Sequence, residues 1–197
     1  MAQPTLNVLA VVGSLNRTST TRLVVNHLAE QLKAAGSAVD LLDLLDEPLA
    51  LFNPDCAHGA EGFSHLRARV EQADVYVLGT PDYHGSISSA LKNFLDHFWH
   101  EFAGKLFTTV VASHEKGLTV TDQLRTVARQ CYAWSLPYGI SFADQLDVKE
   151  GQIISQPFQQ RLLMLVHDIR VYGELLAGQR RLDLLGTAPG FLAKHRK

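Results

Sequence analysis

The 197-residue chain has only two cysteines, Cys56 and Cys131. They form no CxxC pair and no metal-ligand spacing, which argues against a disulfide scaffold or a zinc module, and two distant thiols fit a reducing compartment. Charge is also scarce: 19% of residues are charged and the net charge is −2. No basic stripe is present, which argues against non-specific nucleic-acid binding, and the near-neutral balance argues against a polybasic membrane anchor. No uninterrupted apolar run approaches the ~20 residues of a membrane span. The N-terminus shows neither a basic n-region nor an apolar signal core. Internal repeats and low-complexity linkers are absent. Neither GxxxxGK[ST] nor GxGxxG occurs, which counts against nucleoside triphosphate or tight dinucleotide binding after the first strand. The expectation is a soluble, cytoplasmic protein with no nucleic-acid or membrane partner. A hydrophobic content of 46% supplies a buried core, and one domain over residues 1–197 is expected.

What is present is an alternation of short apolar runs and helical patterns. Leu6 to Val12 is nearly continuous, as a strand buried on both faces would be. A polar loop, Gly13 to Thr21, precedes a helix carrying Val24, Leu28, Leu32 and Ala35 on one face and ending at Gly36. Val39 to Leu45 reads as a second strand, followed by a long loop with Pro48, Pro54, Gly59 and Gly62. A short helix from Phe63 to Gln72 leads to a third strand, Val75 to Gly79. After the polar loop Thr80 to Ser86, Ile87, Leu91, Phe94, Leu95 and Phe98 mark one helix face. Lys105 to Ala112 reads as a fourth strand. Ser113 to Gly117 is a third polar loop, before a helix reaching about Trp134. Tyr138 to Phe142 is a weaker fifth strand. Phe158, Leu162, Val166, Ile169 and Gly173 define a long last helix.

This alternation predicts an α/β fold, a three-layer sandwich with a five-stranded parallel sheet of order 2-1-3-4-5 and helices on both faces. In that order the crevice lies at the carboxyl ends of strands 1 and 3, and the three polar loops converge on it. The first loop suits a phosphate monoester. A helix N-terminus offers unpaired N–H groups and a partial positive charge, Gly13 permits a tight turn, Ser14, Ser19, Thr20 and Thr21 supply hydroxyls, and Arg17 supplies charge. Ser19 or Thr20 also reads as a plain helix cap. In the second loop, backbone N–H groups suit the polar edge of a flat heterocycle. Pro81 stiffens that loop, Gly85 permits close approach and Tyr83 offers an aromatic contact. A turn capped by Ser86 is the plainer reading.

At these loops the sequence resembles the NADPH-dependent FMN reductase family, a branch of the flavodoxin-like proteins. That family carries G-S-x-x-x-x-S after strand 1, here Gly13-Ser14-Leu15-Asn16-Arg17-Thr18-Ser19. It also carries P-x-Y-x-x-S before a helix that often reads A-L-K-N-x-x-D. Here these are Pro81-Asp82-Tyr83-His84-Gly85-Ser86 and Ala90-Leu91-Lys92-Asn93-Phe94-Leu95-Asp96. The resemblance implies FMN held through its phosphate at Ser14, Arg17, Ser19, Thr20 and Thr21, with Pro81, Asp82, Tyr83, His84, Gly85 and Ser86 lining the isoalloxazine ring. Asn16 stands where many members have arginine. Ser113, His114 and Gly117 are the cofactor candidates of the third loop, which has one glycine where many members have a pair. The resemblance further implies hydride transfer from NADPH or NADH to the flavin and on to a small-molecule acceptor: free flavin, a quinone, an azo compound or a metal oxyanion. It implies a homodimer or homotetramer.

The flavin carries the chemistry, so no catalytic side chain is assigned. His84 and His114 are candidate hydrogen-bond donors near the ring. His97 and His100 share a helix spacing, but no third metal ligand is evident and no metal is expected. Phe94, Phe98, Trp99 and Phe102 fit either the core or a subunit interface. Arg180, Arg181, Lys194, His195, Arg196 and Lys197 make a basic C-terminus, read as a solvated tail or as an arm meeting a neighbour's NADPH phosphate. The alternatives are a flavodoxin-type electron carrier without NAD(P)H oxidase activity, a reductase differing only in its acceptor, and a phosphate-ligand sensor.

Overall fold

A computed structural model describes residues 5–56 and 62–196; Gly59 and Lys197, named above, lie outside the described residues. Strand β1 (Asn7–Val12) sits between β2 (Ala38–Asp43) and β3 (Val75–Pro81), and β4 (Leu106–Ala112) follows β3, all in parallel. With β5 (Trp134–Ser135) beyond β4, the order is β2-β1-β3-β4-β5, as the alternation predicts.

The sheet's two faces are separated by side-chain alternation. Val8, Ala10 and Val12 point to one face, where Val75, Val77 and Val110 join them. Helix α1 (Thr20–Ala34) covers it with Val24, Leu28 and Leu32, and α5 (Gln156–Leu185) with Phe158, Leu162 and Ile169. Leu9, Val11, Tyr76, Leu78 and Phe107 point the other way. There α2 (Phe63–Gln72), α3 (Ser89–Asp96) and α4 (Leu118–Gln130) cover them, through residues such as Val70, Phe94 and Leu124. Each fully buried side chain of this size contributes about 1.5–3 kcal/mol through removal from water. Most of β1 is buried on both faces, which is why its run is nearly continuous.

Several boundaries differ from the expectation: β2 ends at Asp43 and not at Leu45, and β3 runs on through Thr80 to Pro81, which the sequence marks as loop. Helix α4 stops at Gln130 and not near Trp134: Cys131 caps it and Tyr132 turns with φ 56°. Trp134 instead belongs to a short strand, β5 (Trp134–Ser135), so the fifth position holds two pieces. Both β5 and β6 (Ile140–Phe142) pair with β4. Pro137 lies between them and has no N–H for the ladder. Helix α3 ends at Asp96, and its apolar stripe continues through a turn to Phe98 and Phe102. A small hairpin, β7 (Val148–Lys149) and β8 (Gln152–Ile153), turns through Glu150 and Gly151, both at positive φ. These pairs are too short to display a period of two, so the sequence does not mark them.

Candidate active site

The parallel register brings Val12, Gly79 and Val110 level, and with them the loops that follow β1, β3 and β4. The loops are tied to one another. Gly13 N–H donates to Gly79 O at 2.8 Å, and Asp82 N–H to Ala112 O at 2.8 Å. Ser88 Oγ donates to Gly13 O at 2.5 Å and accepts from Leu91 N–H, so one side chain caps α3 and anchors the first loop. A Cβ on Gly13 would lie 2.6 Å from Gly79 O, so the close approach requires glycine there. Between the loops lies a cavity of about 270 Å³.

Ser14, Asn16, Ser19, Thr20 and Thr21 from the first loop line it, together with Thr18, which the motif leaves unmarked. Ser19 caps α1: its side chain accepts from Arg22 N–H at 3.4 Å. First-turn N–H groups have no intrahelical partner, so those of Thr20 and Thr21 remain available at the cavity wall. Ser14 is buried, and its Oγ accepts from Asn16 N–H. Asn16 Oδ1 accepts from both Thr18 N–H and its hydroxyl. The cap reading and the cavity reading of Ser19 therefore both hold.

The cation organising this loop is Arg22, which sequence reasoning does not single out. Its guanidinium donates to the carbonyls of Ser14, Asn16 and Arg17 and, through Nε and Nη2, to Asp43 at the end of β2. Burial of Asp43 opposes its ionised form, but hydrogen bonds from Arg22 and from Leu45 N–H outweigh it and hold the carboxyl below its usual range. The hydrogen bond that Arg22 donates to Asp43 raises Arg22 in turn. Arg17 is exposed and lies outside the cavity lining.

From the second loop, Pro81, Asp82 and Tyr83 line the cavity; His84, Gly85 and Ser86 do not. Tyr83 and Ser86 exchange both backbone hydrogen bonds around His84 and Gly85, at φ 57° and 75°. That is a type I′ hairpin turn, which explains the glycine at position 85. Asp82 spends one oxygen on Gly85 N–H and the other on Ser113 Oγ, both at 2.8 Å. Ser88, and not Ser86, caps α3. Ser86 Oγ and Ile87 N–H instead donate to Gln123 Oε1 on α4, while Gln123 Nε2 donates to Gly85 O. Gln123 is the second functional residue that sequence reasoning misses, because nothing local marks a helix glutamine as a loop anchor.

Ser113 and His114 line the cavity from the third loop, and Asp144, after β6, closes it from a fourth. Gly117 lies beneath: it is buried at φ 58°, and a Cβ on it would meet Val111 Cγ1 at 2.8 Å. Its role is to turn the chain into α4.

The other candidates fall elsewhere. His97 is buried against Phe52 and Phe63, with Nδ1 on Asn93 O, whereas His100 is exposed beside Trp99. No metal-binding group of three ligands occurs among the described residues. Phe94, Phe98 and Phe102 are core, which removes them from the interface reading; of the four aromatics only Trp99 is exposed. The C-terminus is not a solvated tail. Arg196 donates to Asp183 O and Ala188 O, Lys194 lies 3.7 Å from the Tyr132 ring centroid, and Arg180 Nε donates to Ala103 O.

The cavity's chemistry suits a phosphorylated flavin. Hydroxyls, first-turn helix N–H groups and an exposed aromatic ring, Tyr83, share its lining. Asp82 is satisfied by its own hydrogen bonds rather than aimed at the ligand. Comparison with known proteins shows the family. The family model described as NADPH-dependent FMN reductase matches residues 6–146. An FMN-dependent NADPH-azoreductase of Staphylococcus haemolyticus is 28% identical over 82% of this chain and 92% of its own. Its counterpart in Staphylococcus aureus is 27% identical over 69% of this chain and 76% of its own. Among solved structures, a flavoenzyme NAD(P)H:(acceptor) oxidoreductase from Paracoccus denitrificans superposes with a TM-score of 0.66. It has 19% identity and covers 88% of this chain and 98% of its own. A Streptococcus pneumoniae flavodoxin superposes with a TM-score of 0.57 at 14% identity, over 85% of this chain and 99% of its own, a likeness of fold alone.

Proposed function

This chain belongs to the NADPH-dependent FMN reductase family, and from that premise we propose that the cavity between its first, second and third polar loops is where FMN is held for NAD(P)H-dependent reduction of a small-molecule acceptor. The carrying observation is that the two loops bearing the family motifs are hydrogen-bonded together around one polar cavity. Ser14, Ser19, Thr20 and Thr21 would take the phosphate, with Arg22 shaping the loop from behind. Pro81, Asp82 and Tyr83 would lie along the ring, with Ser113 and His114 at its other edge. When bound, FMN supplies the hydride chemistry; the chain binds it, orients it and excludes water. Asp82, an acid on the cavity wall, is engaged by Gly85 N–H and Ser113 Oγ, which suits a protein that leaves the chemistry to its cofactor.

The flavodoxin-type carrier is not favoured: the matching family is one of reductases, and a net charge of −2 gives little to steer a basic partner. Azo compounds are the first acceptors to try, because the relatives named above are azoreductases. A homodimer or homotetramer is part of this reading. Leu163, Met164, Tyr172 and Leu175 leave exposed apolar surface along α5, which a neighbouring subunit would cover.

The test is the visible spectrum of the purified protein with and without added FMN, followed by NADPH oxidation with an azo dye. A flavin spectrum that bleaches with NADPH and recovers with dye supports the reading. A protein that neither binds FMN nor oxidises NADPH overturns it.

A further inference from the structure

At the opposite end of the sheet, beside the start of β4, lies a second cavity of about 660 Å³. Helix α2, the turn after α3, the end of α5 and the C-terminal turn form its walls. Its charge is unbalanced. Both carboxylates in the lining, Glu71 and Glu101, are paired with Arg67 at 3.1 and 3.0 Å. Arg180, Lys194 and Arg196 have no carboxylate partner among the described residues. Arg180 and Arg196 donate only to backbone carbonyls, and Lys194 rests on the Tyr132 ring. The terminal nitrogens of Arg180 make no hydrogen bond to a described residue, and His195 Nε2 is buried without a partner.

Gathering like charges at a half-buried site is unfavourable, and the titration of the cluster reflects it. Burial lowers His195, and the neighbouring His100, Lys194 and Arg180 lower it further. Burial likewise lowers Arg180. An anion in the cavity would offset the repulsion that His100, Lys194 and Arg180 exert on His195. Guanidinium forks and an ammonium suit phosphoryl oxygens, and several cations around one space suit a ligand with more than one phosphoryl group. Leu184 and Leu185 give the wall an apolar portion.

We propose that this cavity, walled by Arg180, Lys194, His195 and Arg196, binds a small anion carrying a diphosphate group, at the end of the sheet opposite the flavin loops. The ligand is either free diphosphate or the diphosphate of a nucleotide.

Calorimetric titration of FMN-saturated protein in phosphate-free, low-salt buffer tests this, with inorganic diphosphate and ADP as separate probes. The expected result is one saturable equivalent that weakens with added salt. Lys194→Ala should weaken it about tenfold, the scale of one charge-assisted hydrogen bond. Arg196→Gln should weaken it too, which keeps the test valid if removing Arg180 harms folding. Equal affinity for the two probes points to the free anion; tighter ADP binding points to a nucleotide. Thr20→Val in the first loop should leave the binding unchanged. Absence of saturable heat, binding indifferent to both Lys194→Ala and Arg196→Gln, or loss in Thr20→Val would each overturn the proposal. The last arm separates this site from the flavin loops even in protein that takes up no FMN.

Discussion

Arg22 and Asp43 form a two-pronged ion pair, with Nε 2.5 Å from Oδ2 and Nη2 3.1 Å from Oδ1. The pair joins the first turn of α1 to the end of β2, and the rest of the guanidinium holds three carbonyls of the loop at Ser14, Asn16 and Arg17. The shape of the candidate phosphate loop thus depends on a residue outside the loop. Replacing Arg22 with Gln should cost about 1–3 kcal/mol of stability, since Asp43 is left partly buried and unpaired. It should also weaken FMN binding at least tenfold by releasing the loop. Arg22→Lys should restore little, because one ammonium does not replace a planar fork. Urea unfolding and a flavin titration measure both effects.

The hydroxyls of the loop should act through the phosphate of the cofactor and not through its ring. Thr20→Val should weaken FMN by about tenfold, the scale of a charge-assisted hydrogen bond. It should leave the affinity for riboflavin, which lacks the phosphate, unchanged. Fluorescence titration of both ligands against both proteins forms the cycle. Equal losses for the two ligands would mean that Thr20 does not meet the phosphate.

Gln123 should behave as a positioning residue for the second loop. Gln123→Leu leaves Ser86 Oγ, Ile87 N–H and Gly85 O without their partner. A stability loss of about 1–2 kcal/mol is expected from these groups, together with weaker flavin binding. Gln123→Glu keeps the acceptor for Ser86 and Ile87 and should recover most of the binding. Failure of the glutamate variant to do better than leucine would argue against this role.

Lys105 gives a stability that rises with pH. It is buried beside Arg180, and burial first and that charge second press it down to about 7, against the opposing charges of Asp74, Glu71 and Glu101. Its ammonium is held by Val70 O and Glu71 O at the end of α2. Above that value the unfolded chain still carries a proton that the folded chain has released. Stability should therefore increase from roughly pH 7 to 8.5, by at most about 1.4 kcal/mol per unit. Lys105→Met should remove this slope. Above the ordinary thiol range Cys131, pushed up to about 11 by burial, acts in the opposite direction, so the window ends there. Urea midpoints across pH for the two proteins decide it.

The elements with long, regular periodicity are legible in the chain itself. Leu9 and Val11 facing one way and Val8 and Ala10 the other needs only a strand with helices on both sides. The motifs at Gly13–Ser19 and Pro81–Ser86 likewise mark two loops that meet at one cavity, because a parallel sheet brings its carboxyl ends to one edge. The short pieces are not legible. β5, β7 and β8 have two residues each, too few to show a period, and α4 ends earlier than its pattern because Tyr132 adopts positive φ.

Within the site, contiguous polar loops already name the residue types around the cavity. Which of them face inward, and what holds them there, depends on the folded chain. In one dimension Arg17, inside the loop motif, is the cation singled out. Arg22 is distinguished by Asp43, 21 residues away, which β1–β2 pairing brings to its side. Gln123 reaches Gly85 across 38 residues, and Asp144 enters from the loop after β6. The same holds for the basic C-terminus, whose charges read as a solvated tail although Arg180 and Arg196 are bonded to Ala103, Asp183 and Ala188. A side chain's local propensity and polarity are written in its own neighbourhood of the chain. Its partner is selected by the register of strands and the packing of helices, which exist only once the whole chain has folded.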